Sequence, residues 1–436
     1  MSTEIELLVE GLNDPDVNNR LSNLKRLREL VDNGYIPKPP INEFAVNNHI
    51  HTTYSFSPYS PTKSIWMAYN AGLMTAGIMD HDSISGAREF ISAGKIIGIA
   101  TTIGVECRVS FANTPLEGRK LNNPDQETVA YVSLHGIPHT QIDKVRDYFS
   151  RYQRERNKRN RLMIERLNKI MEPFEIKIDF DSDVVPLSQY KDGGTITERH
   201  ILYALSLKLI EKFGKGEKLV NFLKGTLEIN LPRRIEGYLL DVDNRYYDYD
   251  LLGALKAELV PRFFIPATTE CPEVREIVKF SEEIGSILAY AYLGDITESV
   301  TGDKRSEKFE DEYLDLLFDV LKELGFDAVT YMPSRNTLEQ LKRVKSLCEQ
   351  YELFQISGED INSPRQSFIC EKLKLEEFRN LIESTWALIG HEISATEDLS
   401  KGMFSDETKK RYPDLNERIK IYAEIGRKSF SGEAYR

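Results

Sequence analysis

The chain has 436 residues, 41% hydrophobic and 29% charged, the balance of a soluble globular protein built as one large domain or two to three smaller ones. A net charge of −12 speaks against bulk electrostatic binding of nucleic acid, and no apolar run approaches the roughly twenty residues of a membrane span. Cys107, Cys271, Cys348 and Cys370 are widely spaced, which argues against a disulfide framework or zinc ribbon. Together with an acidic start that lacks a signal peptide's basic and apolar regions, this sets a cytoplasmic expectation.

Residues 1–35 place Ile5, Leu7, Leu8, Leu12, Leu21, Leu24, Leu27, Leu30 and Val31 at helical spacing. The Pro37-Lys38-Pro39-Pro40 run ends this helical leader, taken as 1–44. Residues 45–112 alternate short apolar runs with amphipathic stretches such as Ser64 to Asn70 and Ser85 to Gly94, the rhythm of βα units and a parallel sheet. Three of these runs end in metal-capable side chains. The first carries His49 and His51, which share one face of a strand and can aim two imidazoles at one cation. The second, Gly72 to Met79, leads into Asp80-His81-Asp82, and the third, Ile96 to Val105, into Glu106.

From 113 to 285 the rhythm changes. Asn113 to Glu127 reads as a loop and Thr128 to Leu134 as a barrel strand that delivers His135. A long basic helix follows from Ile142 through Arg151, Arg154, Arg156, Arg159, Arg161 and Arg166, then a helical stretch from Thr197 to Phe213. This region reads as a mainly helical insertion hanging over the barrel mouth. Residues 286–370 resume the βα alternation, with strands at Ser286–Tyr290, Ala328–Tyr331 and Leu353–Ser357 and helices at Asp311–Leu324 and Thr337–Tyr351. Residues 371–436 form a helical C-terminal extension, and His391 within it is given no role.

His49-Ile50-His51-Thr52-Thr53-Tyr54-Ser55, Asp80-His81-Asp82-Ser83-Ile84-Ser85-Gly86, Gly104-Val105-Glu106 and Ser357-Gly358-Glu359-Asp360-Ile361-Asn362 resemble, in order and spacing, the motifs of the polymerase and histidinol phosphatase (PHP) superfamily of metal-dependent phosphoesterases. The resemblance covers roughly 45–112 and 285–370. It implies an α/β fold, a distorted (β/α)7-type barrel interrupted by the insertion, with the site at the C-terminal ends of the strands. It also implies a metal set of His49, His51, His81, Glu106, His135 and Asp360, with His139 competing for the place of His135 and Glu106 as the bridging carboxylate. His81 serves a further metal or a phosphate oxygen, and Asp80 orients a ligand from behind.

The chain departs from the family in three places. Tyr290 stands where a histidine ligand is usual, Asn362 where the late motif has its second ligand, and Phe56-Ser57 where an Asp or His helps hold a further metal. One or two divalent ions are therefore expected rather than three, and a mixed nitrogen and oxygen set suits Mn²⁺, Fe²⁺ or Zn²⁺.

Arg199 and His200 resemble an R-x-H element that grips phosphate; read from the residues alone they are a capped helix start. Arg335, after a predicted strand, is a second phosphate candidate. The implied activity is hydrolysis of a small phosphate monoester or nucleotide by a metal-activated water, with His135 or His200 protonating the leaving group. The alternatives are a PHP scaffold that has lost catalysis and acts as a binding module, and an exonuclease that grips short oligonucleotides along the arginine helix. Fingerprints of P-loop NTPases, serine hydrolases and dinucleotide-binding folds are absent from the sequence.

Overall fold

A computed structural model describes residues 2–123, 125–295 and 310–431. Among these, seven strands form one sheet in chain order: β1 (Val46–Ile50), β2 (Thr75–His81), β3 (Ala100–Ser110), β4 (Val129–His135), β5 (Ile287–Tyr292), β6 (Ala328–Tyr331) and β7 (Phe354–Ser357). The two outer strands meet just beyond β7. The His51 N–H donates to the Ile361 carbonyl at 3.0 Å and the Ile361 N–H to the His49 carbonyl at 3.1 Å. The sheet thus closes into a distorted barrel, and the closure sets Asp360 beside the two histidines of β1.

One strand corrects the expectation of uniform βα units. β4 runs antiparallel to both β3 and β5. It returns from β3 through a loop instead of a crossover helix, and antiparallel neighbours need no crossover. Its C-terminal end therefore points to the closed end of the barrel.

Helices cover the outside. The helix Pro61–Asn70 is started by the Ser60 side chain, which accepts from the Lys63 N–H, with Pro61 in the first turn where its missing N–H costs nothing. The leader helix Val17–Asp32 packs Leu24, Leu27 and Val31 into the main core, joined by Ile65, Phe90, Val105 and Leu317, and Ser2–Glu10 lays Ile5, Leu8 and Val9 against it. The predicted helices at 198–213, 314–324 and 338–350 are present within a few residues of their expected bounds.

The insertion owns a separate core that runs from Met163 to Phe263 and also takes in Phe56. The flanking segments of 113–285 belong to the barrel instead: Val132, Val145, Ile277 and Ile284 all join the main core. The C-terminal helices Asn380–Glu397 and Leu415–Ser431 close the opposite end, where Trp386, Ala387 and Leu388 pack on Ile287, Ala289, Phe354 and Ile356. No helix among the described residues is long and apolar enough to cross a membrane.

Candidate metal centre

Strand pairing explains how distant residues converge. Parallel register sets His81 of β2 opposite Glu106 of β3, and antiparallel register sets Glu106 opposite Ser133 of β4. Glu106 Oε2 lies 3.0 Å from His81 Nδ1, 3.7 Å from His49 Nε2 and 3.9 Å from His51 Nε2. His51 Nε2 is also 3.1 Å from Asp360 Oδ1. The rings of His51 and His81 stack at 4.5 Å, and those of His49 and His51 meet edge to face at 5.0 Å.

One donor atom from each of His49, His51 and Glu106 falls within 4.8 Å of the other two. This is the spacing of groups that share one cation. The chemistry agrees: a buried carboxylate whose close cationic partners among the described residues are three imidazoles is a donor set for a divalent ion.

Electrostatics follow from the burial. Burial opposes charge on Glu106, but His49 and then His81 outweigh it and hold the carboxyl well below its usual range. The same burial lowers His81, whereas for His49 the attraction of Glu106 wins and raises it. Asp360 is only partly buried, and His51 and then His49 hold it well below the ordinary carboxylate value.

Behind the donors stands an orienting chain. Asp80 accepts three hydrogen bonds of 2.6 Å, from the Thr52 N–H, the Thr52 hydroxyl and the Ser55 hydroxyl. Ser55 Oγ in turn lies 3.3 Å from His51 Nδ1, which aims Nε2 at the site. Asp80 is thus occupied behind the ligands. Asn362 Nδ2 donates to Asp360 Oδ1 at 2.6 Å, so it steadies that carboxylate. Gly358 permits the late loop to approach: a Cβ there would stand 2.6 Å from His49 Cβ.

His135 sits deeper. It lies on the same face of β4 as Ser133, one step toward the closed end, because the strand is antiparallel. Both ring nitrogens are buried without a hydrogen-bond partner among the described residues, and burial followed by the His49 charge pushes its pKa down to about 3. It remains a neutral donor below Glu106. His139 is elsewhere, 2.8 Å from Glu392 of the C-terminal helix at the closed end. His139 thus lies away from the donor cluster, and of the two histidines His135 is the one on the inner face of the barrel.

Two expectations are corrected by side-chain direction. Tyr290 points out of the barrel into the main core, against Phe111, where its hydroxyl donates to Glu310. Strand alternation leaves Ala289 and Ala291 on the inner face, so Tyr290 is not a substituted ligand. His200 is buried under Phe56, and its Nδ1 accepts the Thr197 N–H at 3.0 Å, capping its own helix. Burial pushes it down to about 3, and it does not face the site.

The donors open on a cavity of about 970 Å³. Arg199, Arg335 and Arg365 lie on its wall, together with Val260 and Phe264 of the insertion. Phe56 also reaches it with an apolar ring. Ser57 is buried beside it, and its hydroxyl accepts the Tyr59 N–H at 3.4 Å.

The arginine helix Ile142–Met171 divides its charges. Arg151 and Arg161 are exposed, but Arg156 and Arg159 are buried among carboxylates. Arg159 Nε lies 2.6 Å from Glu270 Oε2, Arg108 Nη2 lies 2.6 Å from Glu270 Oε1, and Arg156 pairs with Asp82. These two guanidinium groups fasten the insertion to the barrel and are not laid out as a track for a phosphate backbone. Sequence reasoning missed Arg108, Glu198, Glu270 and Tyr131, all of which line or flank the cavity. Tyr131 reaches the mouth because β4 runs antiparallel, a direction the sequence carries no signal for.

No protein-family profile and no curated protein matches this chain. Among solved structures it is similar to one from Bifidobacterium adolescentis ATCC 15703, named for an inferred metal-dependent phosphoesterase activity. That match has a TM-score of 0.49 and 17% identity and covers 78% of this chain and 95% of that one. It is also similar to an amidohydrolase from Chromobacterium violaceum solved with bound sulfate and no metal, with a TM-score of 0.49 and 16% identity, over 74% of this chain and 88% of that one. Neither likeness extends to chemistry, which follows from the site's own donors.

Proposed function

We propose that the protein is a metal-dependent hydrolase of small phosphate esters. The observation that supports this reading best is Glu106, a buried carboxylate ringed by His49, His51 and His81 at the mouth of a large cavity. His49, His51, Glu106 and Asp360 would hold a divalent ion, Mn²⁺, Fe²⁺ or Zn²⁺, with His81 and His135 able to extend the set toward a second. An ion held there would supply Lewis-acid charge and lower the pKa of a water toward neutrality.

The chain's own residues do the rest. The Asp80, Ser55 and His51 relay fixes ligand orientation, and Asn362 fixes Asp360. Arg199 and Arg335 place positive charge on the wall where a phosphoryl group would sit, and guanidinium groups suit its oxygens. A walled cavity of about 970 Å³ suits a single small ester and its leaving group better than a polymer strand.

The test is hydrolysis of p-nitrophenyl phosphate with added Mn²⁺ by the wild type and by His51→Ala. Metal-dependent turnover that His51→Ala abolishes supports the proposal. Turnover equal in both proteins, or none in the metal-loaded wild type, sinks it.

A further inference from the structure

We propose that Tyr131 contacts substrate directly, its neutral hydroxyl donating a hydrogen bond to a phosphoryl oxygen of the bound ester; this rests on the phosphoesterase reading above. The first support is register. Tyr131 pairs with Arg108 and Ser133 with Glu106, so Tyr131 shares the inner face with the metal-site carboxylate. Because β4 is antiparallel, this face brings Tyr131 outward to the mouth while His135 goes inward. The tyrosine ring stands 5.7 Å from that of His81 and lines the cavity.

The second support is what the residue is bonded to. Its main chain is clamped at both polar atoms by one side chain, since Asn122 Oδ1 accepts the Tyr131 N–H at 2.7 Å and Asn122 Nδ2 donates to the Tyr131 carbonyl at 2.8 Å. The hydroxyl, by contrast, makes no hydrogen bond to any described residue. Its closest charged neighbour across the strands, Arg108, is committed to Glu270 and Glu198. A fixed phenol with an unused donor, beside a cluster built to hold cations, is aimed at an anionic oxygen that the protein itself does not provide.

Tyr131→Phe removes that hydroxyl and nothing else. Three quantities are read on wild type and variant: kcat/KM for p-nitrophenyl phosphate, metal content by elemental analysis, and calorimetric affinity of the Mn²⁺-loaded protein for inorganic phosphate. The expected result is a loss of roughly 10- to 100-fold in kcat/KM and in phosphate affinity, the weight of one hydrogen bond to a charged group, with metal content unchanged. Unchanged phosphate affinity in the variant overturns the proposal. So does lost metal, which would make Tyr131 a ligand, and so does a wild type that binds no phosphate. The phosphate titration judges Tyr131 even if the wild type hydrolyses nothing, a result that would count against the proposed activity alone.

Discussion

Arg156 of the insertion's first helix forms a buried ion pair with Asp82, the residue after His81, with both side chains at most 4% exposed. Asp82 also has a left-handed backbone, φ 48°, and its carbonyl accepts from Gln153 of the same helix at 2.8 Å. The helix therefore holds the turn that carries His81. Arg156→Met should leave Asp82 charged and unpaired, at a cost of about 3–5 kcal/mol in denaturant unfolding. Adding Asp82→Asn should recover a large part of that loss. A double variant as unstable as the sum of the two singles would show that the pair does not couple.

The C-terminal helices cross at two glycines. A Cβ on Gly390 would stand 1.9 Å from the Tyr422 carbonyl oxygen, and one on Gly426 2.2 Å from that of Trp386. Backbone cannot yield as a flexible side chain can, so Gly390→Ala should lower stability by ~1–3 kcal/mol despite alanine's better helix propensity. A denaturation midpoint equal to or above that of the wild type would refute this packing.

Acid should weaken the same end of the molecule. His391 is buried, its Nδ1 accepts the Met403 N–H at 2.9 Å, and burial pushes its pKa down to about 4. Between an unfolded value of about 6.5 and that folded value, the unfolded chain binds the proton and the folded chain does not, so stability falls as pH falls. The wild type should lose about 1.4 kcal/mol per pH unit across this window relative to His391→Asn, which keeps an acceptor but cannot titrate. Glu310 works in the opposite sense: burial raises it to about 7, and its contribution is lost as pH rises from its unfolded value. Parallel pH curves for wild type and His391→Asn would contradict the assignment.

His200 should prove dispensable for turnover. Its Nδ1 serves the Thr197 N–H, and its ring packs under Phe56 at 5.0 Å between centroids. His200→Asn, which retains an acceptor at that position, should keep kcat within about threefold while changing stability, as expected for a cap. A hundredfold fall in kcat with the fold intact would restore it as a proton donor.

Much of this architecture was legible because period and position carry it. The spacing of His49 and His51 and the strand ends at His81 and Glu106 follow from local pattern, the late Asp360 follows from the motif resemblance, and the barrel brings all five together. What escaped depends on direction and register. Nothing in Thr128 to His135 says that the strand runs antiparallel, yet that one fact sends His135 inward and Tyr131 outward. Tyr290 was misplaced by one residue of alternation, enough to turn it from the inner face to the core. Arg156 and Arg159 look like a solvated basic stripe because their partners, Asp82, Glu198 and Glu270, lie up to 114 positions away.

The central claim is that Glu106 and its imidazoles hold a divalent cation. The most direct measurement is elemental analysis of untagged wild-type and Glu106→Ala protein, purified without chelators and then equilibrated with Mn²⁺ or Zn²⁺. The account predicts at least one tightly held equivalent in the wild type and a loss of most of it in folded Glu106→Ala. A wild type that retains no metal, or a variant that retains as much as the wild type, would contradict it.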